Sequence, residues 1–79
     1  MKKELTKIFR DIMLDSNLNL LPNMTPKDIS NWDSFNHLNL ILALEDMYVV
    51  EFSSEEIDSI SSVKDLIKYL EKKGITSDF

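Results

Sequence analysis

The sequence contains no cysteine, a single glycine and only two prolines among its 79 residues. The absence of cysteine excludes disulfides, thiolate metal sites and a cysteine nucleophile, so any thiol chemistry needs a thiol from another molecule. No apolar run approaches the roughly 20 residues of a membrane span, and the amino-terminal residues lack the continuous apolar stretch of a signal peptide. We therefore expect a soluble, cytoplasmic, monomeric protein with a single domain over residues 1–79.

Basic residues are missing from the middle of the chain. No Lys or Arg occurs between Lys27 and Lys64, whereas eight acidic residues fall there: Asp28, Asp33, Glu45, Asp46, Glu51, Glu55, Glu56 and Asp58. Such an acidic surface repels phosphate backbones and anionic lipid but attracts basic protein patches, so neither nucleic acid nor a membrane is an expected partner. The alternative is a solvated face that only keeps the protein in solution.

The spacing of apolar residues predicts an all-α protein, a four-helix bundle. Apolar residues recur at helical spacing in two segments, approximately 2–15 and 63–73, the second of which closes on Gly74. A second helix over 34–50 is capped by Asp33 or Ser34, and serines and acidic residues open a short third helix over 54–59. The fold is thus a bundle with a long loop between its first two helices.

That loop, residues 16–33, combines helix breakers with leucines and Trp32, so we expect it to be pinned to the core. A short helical turn over 26–30 is possible, since Thr25 can cap it. We expect the tail over 76–79 to be frayed.

The predicted second helix has two apolar faces. One contains Leu40, Ile41, Leu44 and Tyr48, as packing against a core requires. The other contains Phe35, Leu38 and Leu42, bordered by Asn39 and by the surface charges Glu45 and Asp46. Either the long loop covers this second stripe, or the stripe is exposed and forms a docking surface for a basic partner.

The segment NWDSFNHLNLILALEDMYVVEF resembles the acyl carrier protein family, whose attachment motif is Asp-Ser-Leu at the start of the second helix. Here the triplet is Asp33-Ser34-Phe35. The resemblance covers roughly residues 30–72 without a gap, and the other matching positions are Leu38, Leu40, Ala43-Leu44-Glu45, Tyr48, Glu51 before Phe52, Glu55-Glu56, Val63, Ile67 and Tyr69.

The resemblance implies a carrier without catalytic activity, in which Ser34 bears 4′-phosphopantetheine donated from coenzyme A. Asp33 then assists a phosphopantetheinyl transferase in holding magnesium and coenzyme A, and it also caps the helix; the carrier itself retains no metal. The implied partners are that transferase, an acyl-loading ligase or synthase, and a downstream acyltransferase or synthase. An enzyme built on Ser34, His37 and Asp33 is disfavoured, because these residues cluster on one helix start without an oxyanion donor.

Several residues depart from the family pattern. Phe35 replaces leucine, and neutral Asn36, His37 and Asn39 stand where housekeeping fatty-acid carriers tend to be acidic. Together with Trp32, these departures favour a specialised pathway of polyketide, peptide or sugar/lipid modification. Fatty-acid synthesis is the alternative, followed by a helical interaction module without a prosthetic group. We expect His37 to be partly buried and Trp32 to anchor the core, although either could contact the prosthetic arm.

Overall fold

A computed structural model of the chain describes all residues, 1–79, and contains four helices and no strand. The helices are α1 (Lys2–Ile12), α2 (Ser34–Tyr48), α3 (Ser54–Ser59) and α4 (Val63–Lys72). The prediction of an all-α fold with a long first loop and a short third helix is confirmed. None of the four helices combines the length and the apolar character that crossing a membrane requires.

Three predicted helix ends lie too far along the chain. α1 ends at Ile12 instead of residue 15, and α2 ends at Tyr48 instead of residue 50. Leu14 and Val49 adopt left-handed backbone conformations, with φ of 56° and 54°, and these stop the two helices. α4 ends one residue early because Lys73 is already its cap, before Gly74 with φ of 95°.

The core consists of 17 buried residues, all of them apolar. α1 packs against α2, and Leu5 and Phe9 of α1 and Leu40 and Leu44 of α2 are fully buried. The fourth helix adds a stripe of Val63, Leu66, Ile67 and Leu70. The face of α2 that was predicted to meet the core therefore does so, with Tyr48 half-buried at its end.

The long loop is pinned as expected. Its buried side chains are Leu18, Leu20, Ile29 and Trp32. The carbonyls of Pro22 and Met24 accept hydrogen bonds from the first two amides of α4, at 2.8 and 2.9 Å. Around Thr25 the chain forms a turn and not a helix, with the Asp28 N–H donating to the Thr25 carbonyl.

The expectation of a frayed tail is wrong. The carboxylate of Asp78 accepts a hydrogen bond from the backbone N–H of Lys2. Phe79 is half-buried and packs against the core. The last residues therefore fold back onto the beginning of α1.

Candidate functional site

Ser34 is the first residue of α2 and is exposed. Asp33 precedes it in an extended conformation, and Asp33 Oδ1 accepts a hydrogen bond from the Asn36 N–H at 2.8 Å. This arrangement is the usual way for an aspartate to begin a helix, because it satisfies an amide that has no partner inside the helix. The amides of Ser34 and Phe35 also point out of the first turn, so the hydroxyl lies in a region of positive helix potential.

An open cleft of about 460 Å³ begins beside Ser34, between the end of the long loop, α2 and α3. Carboxylates of Asp33 and Asp58 stand on its rim, and no Lys or Arg lines it. The remaining lining residues are Pro26, Trp32, Ser34, His37, Leu38, Ile57 and Ile60. The site is thus open to a long, flexible substituent on Ser34.

Trp32 and His37 form a hydrogen-bonded pair inside this cleft. Trp32 is buried, as predicted, and its indole packs edge-on against Phe9 at 5.2 Å. Its Nε1–H donates to His37 Nδ1 at 2.9 Å, and His37 Nε2 lies 2.9 Å from the Ile57 carbonyl. His37 is half-buried, as predicted, and with both ring nitrogens engaged it is not free to act as a base on Ser34.

The second stripe of α2 is exposed and not covered by the loop. Phe35, Leu38 and Leu42 are 75%, 53% and 62% exposed. Met47 and Val49, at the far end of the helix, are exposed as well and were missed from the sequence. Met47 lies in the last turn of α2, and Val49 is the residue that caps the helix.

The two acidic residues that border the stripe differ from each other. Asp46 is exposed, as expected for a surface charge. Glu45 is only half-exposed, and its Oε2 accepts a hydrogen bond from the backbone N–H of Phe52 at 2.8 Å. The expectation that Glu45 is simply a surface charge is therefore wrong, because this carboxylate also holds the segment that follows α2.

The short helix α3, across the cleft from α2, is fixed by polar contacts. Ser53 and Glu56 form a reciprocal capping box at its start, with both hydrogen bonds present. Lys73 Nζ lies 3.0 Å from Glu56 Oε2 and ties α3 to the end of α4. The Ser53 N–H, and after it the Lys73 ammonium, hold the pKa of Glu56 below its ordinary value.

Comparison with curated proteins finds acyl carrier proteins, although no protein-family model matches the chain. The chain is 39% identical over 41 residues to the one from Helicobacter hepaticus, which covers 52% of this chain and 54% of that protein. It is 37% identical over 46 residues to the one from Syntrophus aciditrophicus, which covers 58% of each. The chain therefore spans little more than half the length of these relatives.

Solved structures extend the likeness over most of the chain. The holo acyl carrier protein from Geobacter metallireducens superposes with a TM-score of 0.82 and 36% identity, over 91% of this chain and 83% of that one. A proposed acyl carrier protein from Mycobacterium tuberculosis gives the same TM-score at 19% identity, over 91% and 96% of the two chains. The second likeness concerns the fold alone.

Proposed function

Because the chain belongs to the acyl carrier protein family, we propose that it carries an acyl or aminoacyl group as a thioester on 4′-phosphopantetheine attached to Ser34. It has no catalytic activity of its own. One observation carries the proposal: Ser34 is exposed at the first position of α2, directly after Asp33, in a chain with the family's fold.

The residues present fit this prosthetic group. The Ser34 hydroxyl is accessible, and the cleft beside it leaves room for a substituent. The first amides of α2 favour the negative charge of a phosphodiester at this position. When bound, the group supplies a terminal thiol, which this cysteine-free chain lacks.

Modification of Ser34 is proposed to need a separate phosphopantetheinyl transferase. A bond forms between Ser34 Oγ and the phosphorus of phosphopantetheine, the P–O bond to 3′,5′-ADP breaks, and the hydroxyl proton leaves to a base of the transferase. We expect Asp33 to assist: Oδ1 accepts the hydrogen bond from the Asn36 N–H, whereas Oδ2 makes no hydrogen bond and would be free to meet the transferase's magnesium. One carboxylate does not form a magnesium site by itself, so this role exists only in the complex.

The other proposed partners are an acyl-loading ligase or synthase and a downstream acyltransferase or synthase. The exposed stripe of Phe35, Leu38 and Leu42 begins next to Ser34, so an enzyme that receives the cargo would contact it. Asp46 extends this surface with a negative charge for a basic patch on the partner. We propose that the carrier acts as a monomer.

The pathway is proposed to be a specialised one, of polyketide, peptide or sugar/lipid modification. The first turn of α2 contains no acidic residue, so the helix surface that follows Ser34 presents Phe35 and Leu38 and no carboxylate. A malonyl transferase of fatty-acid synthesis that selects acidic carriers should therefore use the holo protein at least about tenfold less efficiently than a carrier with an acidic second helix. Equal efficiency would favour housekeeping fatty-acid synthesis.

Intact-mass measurement tests the attachment. The protein is incubated with coenzyme A and a broad-specificity phosphopantetheinyl transferase, and the mass of the wild type should rise by one phosphopantetheine. Ser34→Ala should remain unmodified. Ser54→Ala is the matched control, since Ser54 is also exposed at the first position of a helix, and it should be modified like the wild type. A folded wild type that stays unmodified would favour an interaction module without a prosthetic group.

A further inference from the structure

A chain of hydrogen bonds connects three elements next to Ser34. The Trp32 indole N–H donates to His37 Nδ1, so Nδ1 is the acceptor and the proton of the neutral ring lies on Nε2. That Nε2–H then donates to the carbonyl of Ile57 in α3. His37 therefore connects the residue before the Asp-Ser pair to the helix on the other side of the cleft.

The hydrogen bond from His37 to Ile57 lies close to Ser34. His37 is three residues after Ser34 and lies on the neighbouring turn of α2. His37 and Ile57 line opposite walls of the cleft that begins at Ser34, so their hydrogen bond joins α2 to α3 across it. A group tethered to Ser34 that moved between these two helices would have to part them.

The other polar side-chain attachments of the third helix lead to α4 and not to α2. None of its six residues is fully buried, and Ile57 is its partly buried apolar contact with the core. The ion pair between Lys73 and Glu56 and the hydrogen bond between the Ser59 and Tyr69 hydroxyls hold α3 to α4. The bond from His37 is the polar side-chain contact that holds α3 to α2. An element with so little buried surface opens more readily than the core, so loss of its polar side-chain bond to α2 should free the side of α3 that faces α2.

We infer that His37 is a positioning residue that latches α3 onto α2 and so keeps cargo in the open cleft and out of the space between the helices. The inference rests on the proposed carrier function. It assigns the cargo to a class, short or polar acyl or aminoacyl groups, which need no apolar interior. A long alkyl chain entering between α2 and α3 would break the bond from His37 to Ile57 and leave the Nε2–H of His37 and the carbonyl of Ile57 without their partners.

Two substitutions of His37 separate the latch from simple packing. Leu has a volume similar to His but can form neither hydrogen bond, so His37→Leu removes the latch without creating space. Gln carries an amide donor at nearly the position of Nε2, so His37→Gln retains the bond to the Ile57 carbonyl. Trp32→Phe keeps the packing against Phe9 but removes the indole N–H, which frees the His37 ring to change its tautomer.

The first measurement is amide hydrogen exchange of the unmodified proteins. In His37→Leu the amides of Ile57 to Ile60 should exchange at least about tenfold faster than in the wild type, whereas those of α4 should be unchanged. His37→Gln should resemble the wild type, and Trp32→Phe should be intermediate. The inference is overturned if the amides of α3 exchange at the wild-type rate in His37→Leu. If His37→Leu does not fold, the same result in Trp32→Phe overturns the inference.

The second measurement is thermal unfolding after the transferase has loaded Ser34 from acetyl- or octanoyl-coenzyme A. The two loaded forms of the wild type and of His37→Gln should melt within about 2 °C of each other. Octanoyl should raise the Tm of His37→Leu by about 5 °C over acetyl, because the chain can now pass between the helices. The inference is overturned if octanoyl raises the Tm of the wild type over acetyl by as much as it does in His37→Leu. A protein that gains no mass contradicts the proposed function alone, since hydrogen exchange of the unmodified protein still tests the latch.

Discussion

Glu45 Oε2 accepts a hydrogen bond from the backbone N–H of Phe52 at 2.8 Å, whereas the neighbouring carboxylate of Asp46 is exposed and makes no such bond. Phe52 is buried, so its amide would lose its partner if the Glu45 carboxylate were removed. Two adjacent acidic residues therefore have different roles: Glu45 holds the segment after α2 in place, and Asp46 faces the solvent.

Substitution of these two residues should give opposite results. Glu45→Ala should lower the free energy of unfolding by about 1 to 2 kcal/mol, because a partly buried amide loses a charged acceptor. Asp46→Lys should change it by no more than about 0.5 kcal/mol but slow transfer to a partner enzyme at low salt, with less effect at high salt. Urea unfolding and transfer rates check both. If Glu45→Ala and Asp46→Lys lose the same stability, Glu45 has no special role. If the transfer rate of Asp46→Lys equals that of the wild type at both low and high salt, Asp46 is only a solvated charge.

Substitutions on the buried face and on the exposed stripe of α2 should also have different effects. Leu40 and Leu44 are fully buried, so truncation of either to Ala should cost about 2 to 5 kcal/mol. Leu38→Ala and Leu42→Ala remove exposed side chains and should leave the melting temperature nearly unchanged. These two variants should instead slow modification or transfer, because a contact that is desolvated in the complex is lost. If Leu38→Ala and Leu42→Ala are modified and transfer their cargo at the wild-type rate, the docking surface lies elsewhere. The acidic segment from Glu51 to Asp58 is then the next candidate.

The two proposed roles of Asp33 can be tested with two variants. Asn is as good a helix cap as Asp, so Asp33→Asn should preserve stability yet slow modification of Ser34 through loss of the charge that meets magnesium. Asp33→Ala should slow modification as well and also cost about 1 kcal/mol of stability. Thermal melts and the initial rate of mass gain measure the two effects. Wild-type modification of Asp33→Asn would reduce Asp33 to a helix cap.

Acid should weaken the attachment of α3. The Ser53 N–H and the Lys73 ammonium lower the pKa of Glu56 from its ordinary value of 4.5, so the ionised carboxylate stabilises the folded state. That stabilisation is present above pH 4.5 and disappears as the pH falls through the lowered pKa. Glu56→Gln should therefore be less stable than the wild type at neutral pH, and the difference should shrink on acidification. Urea unfolding at a series of pH values measures this, with Glu55→Gln as the control; a constant difference would contradict the assignment.

The sequence predicted where the four helices lie more accurately than it predicted the residues at which they end. Stripes of apolar residues in α1 and α4 and serine caps before α3 and α4 are local signals, and they place these elements correctly. The end of α2 has no such signal, because Val49 and Val50 continue an apolar pattern without glycine or proline. The helix stops where Val49 turns left-handed, and Glu45, by bonding to the amide of Phe52 seven residues on, holds the chain that follows.

In the candidate site, too, features set by neighbouring residues could be predicted, whereas contacts between distant residues could not. The exposure of Ser34 and the cap by Asp33 follow from a short stretch of sequence, as does the burial of Trp32. The bond from His37 to Ile57 joins residues 20 positions apart, and it depends on where α3 packs. Helical periodicity could suggest only that His37 faces inward, because it contains no information about which backbone carbonyl would meet the ring.

The exposed stripe of α2 also sets a limit on how the protein can be handled. At neutral pH a net charge of −5 makes copies repel each other, although Phe35, Leu38 and Leu42 are open to solvent. Near the isoelectric point of about 4.6 this repulsion vanishes, and the apolar stripe becomes the surface through which copies associate and precipitate. The feature that is proposed to receive partner enzymes thus makes the free protein a poor candidate for acidic buffers.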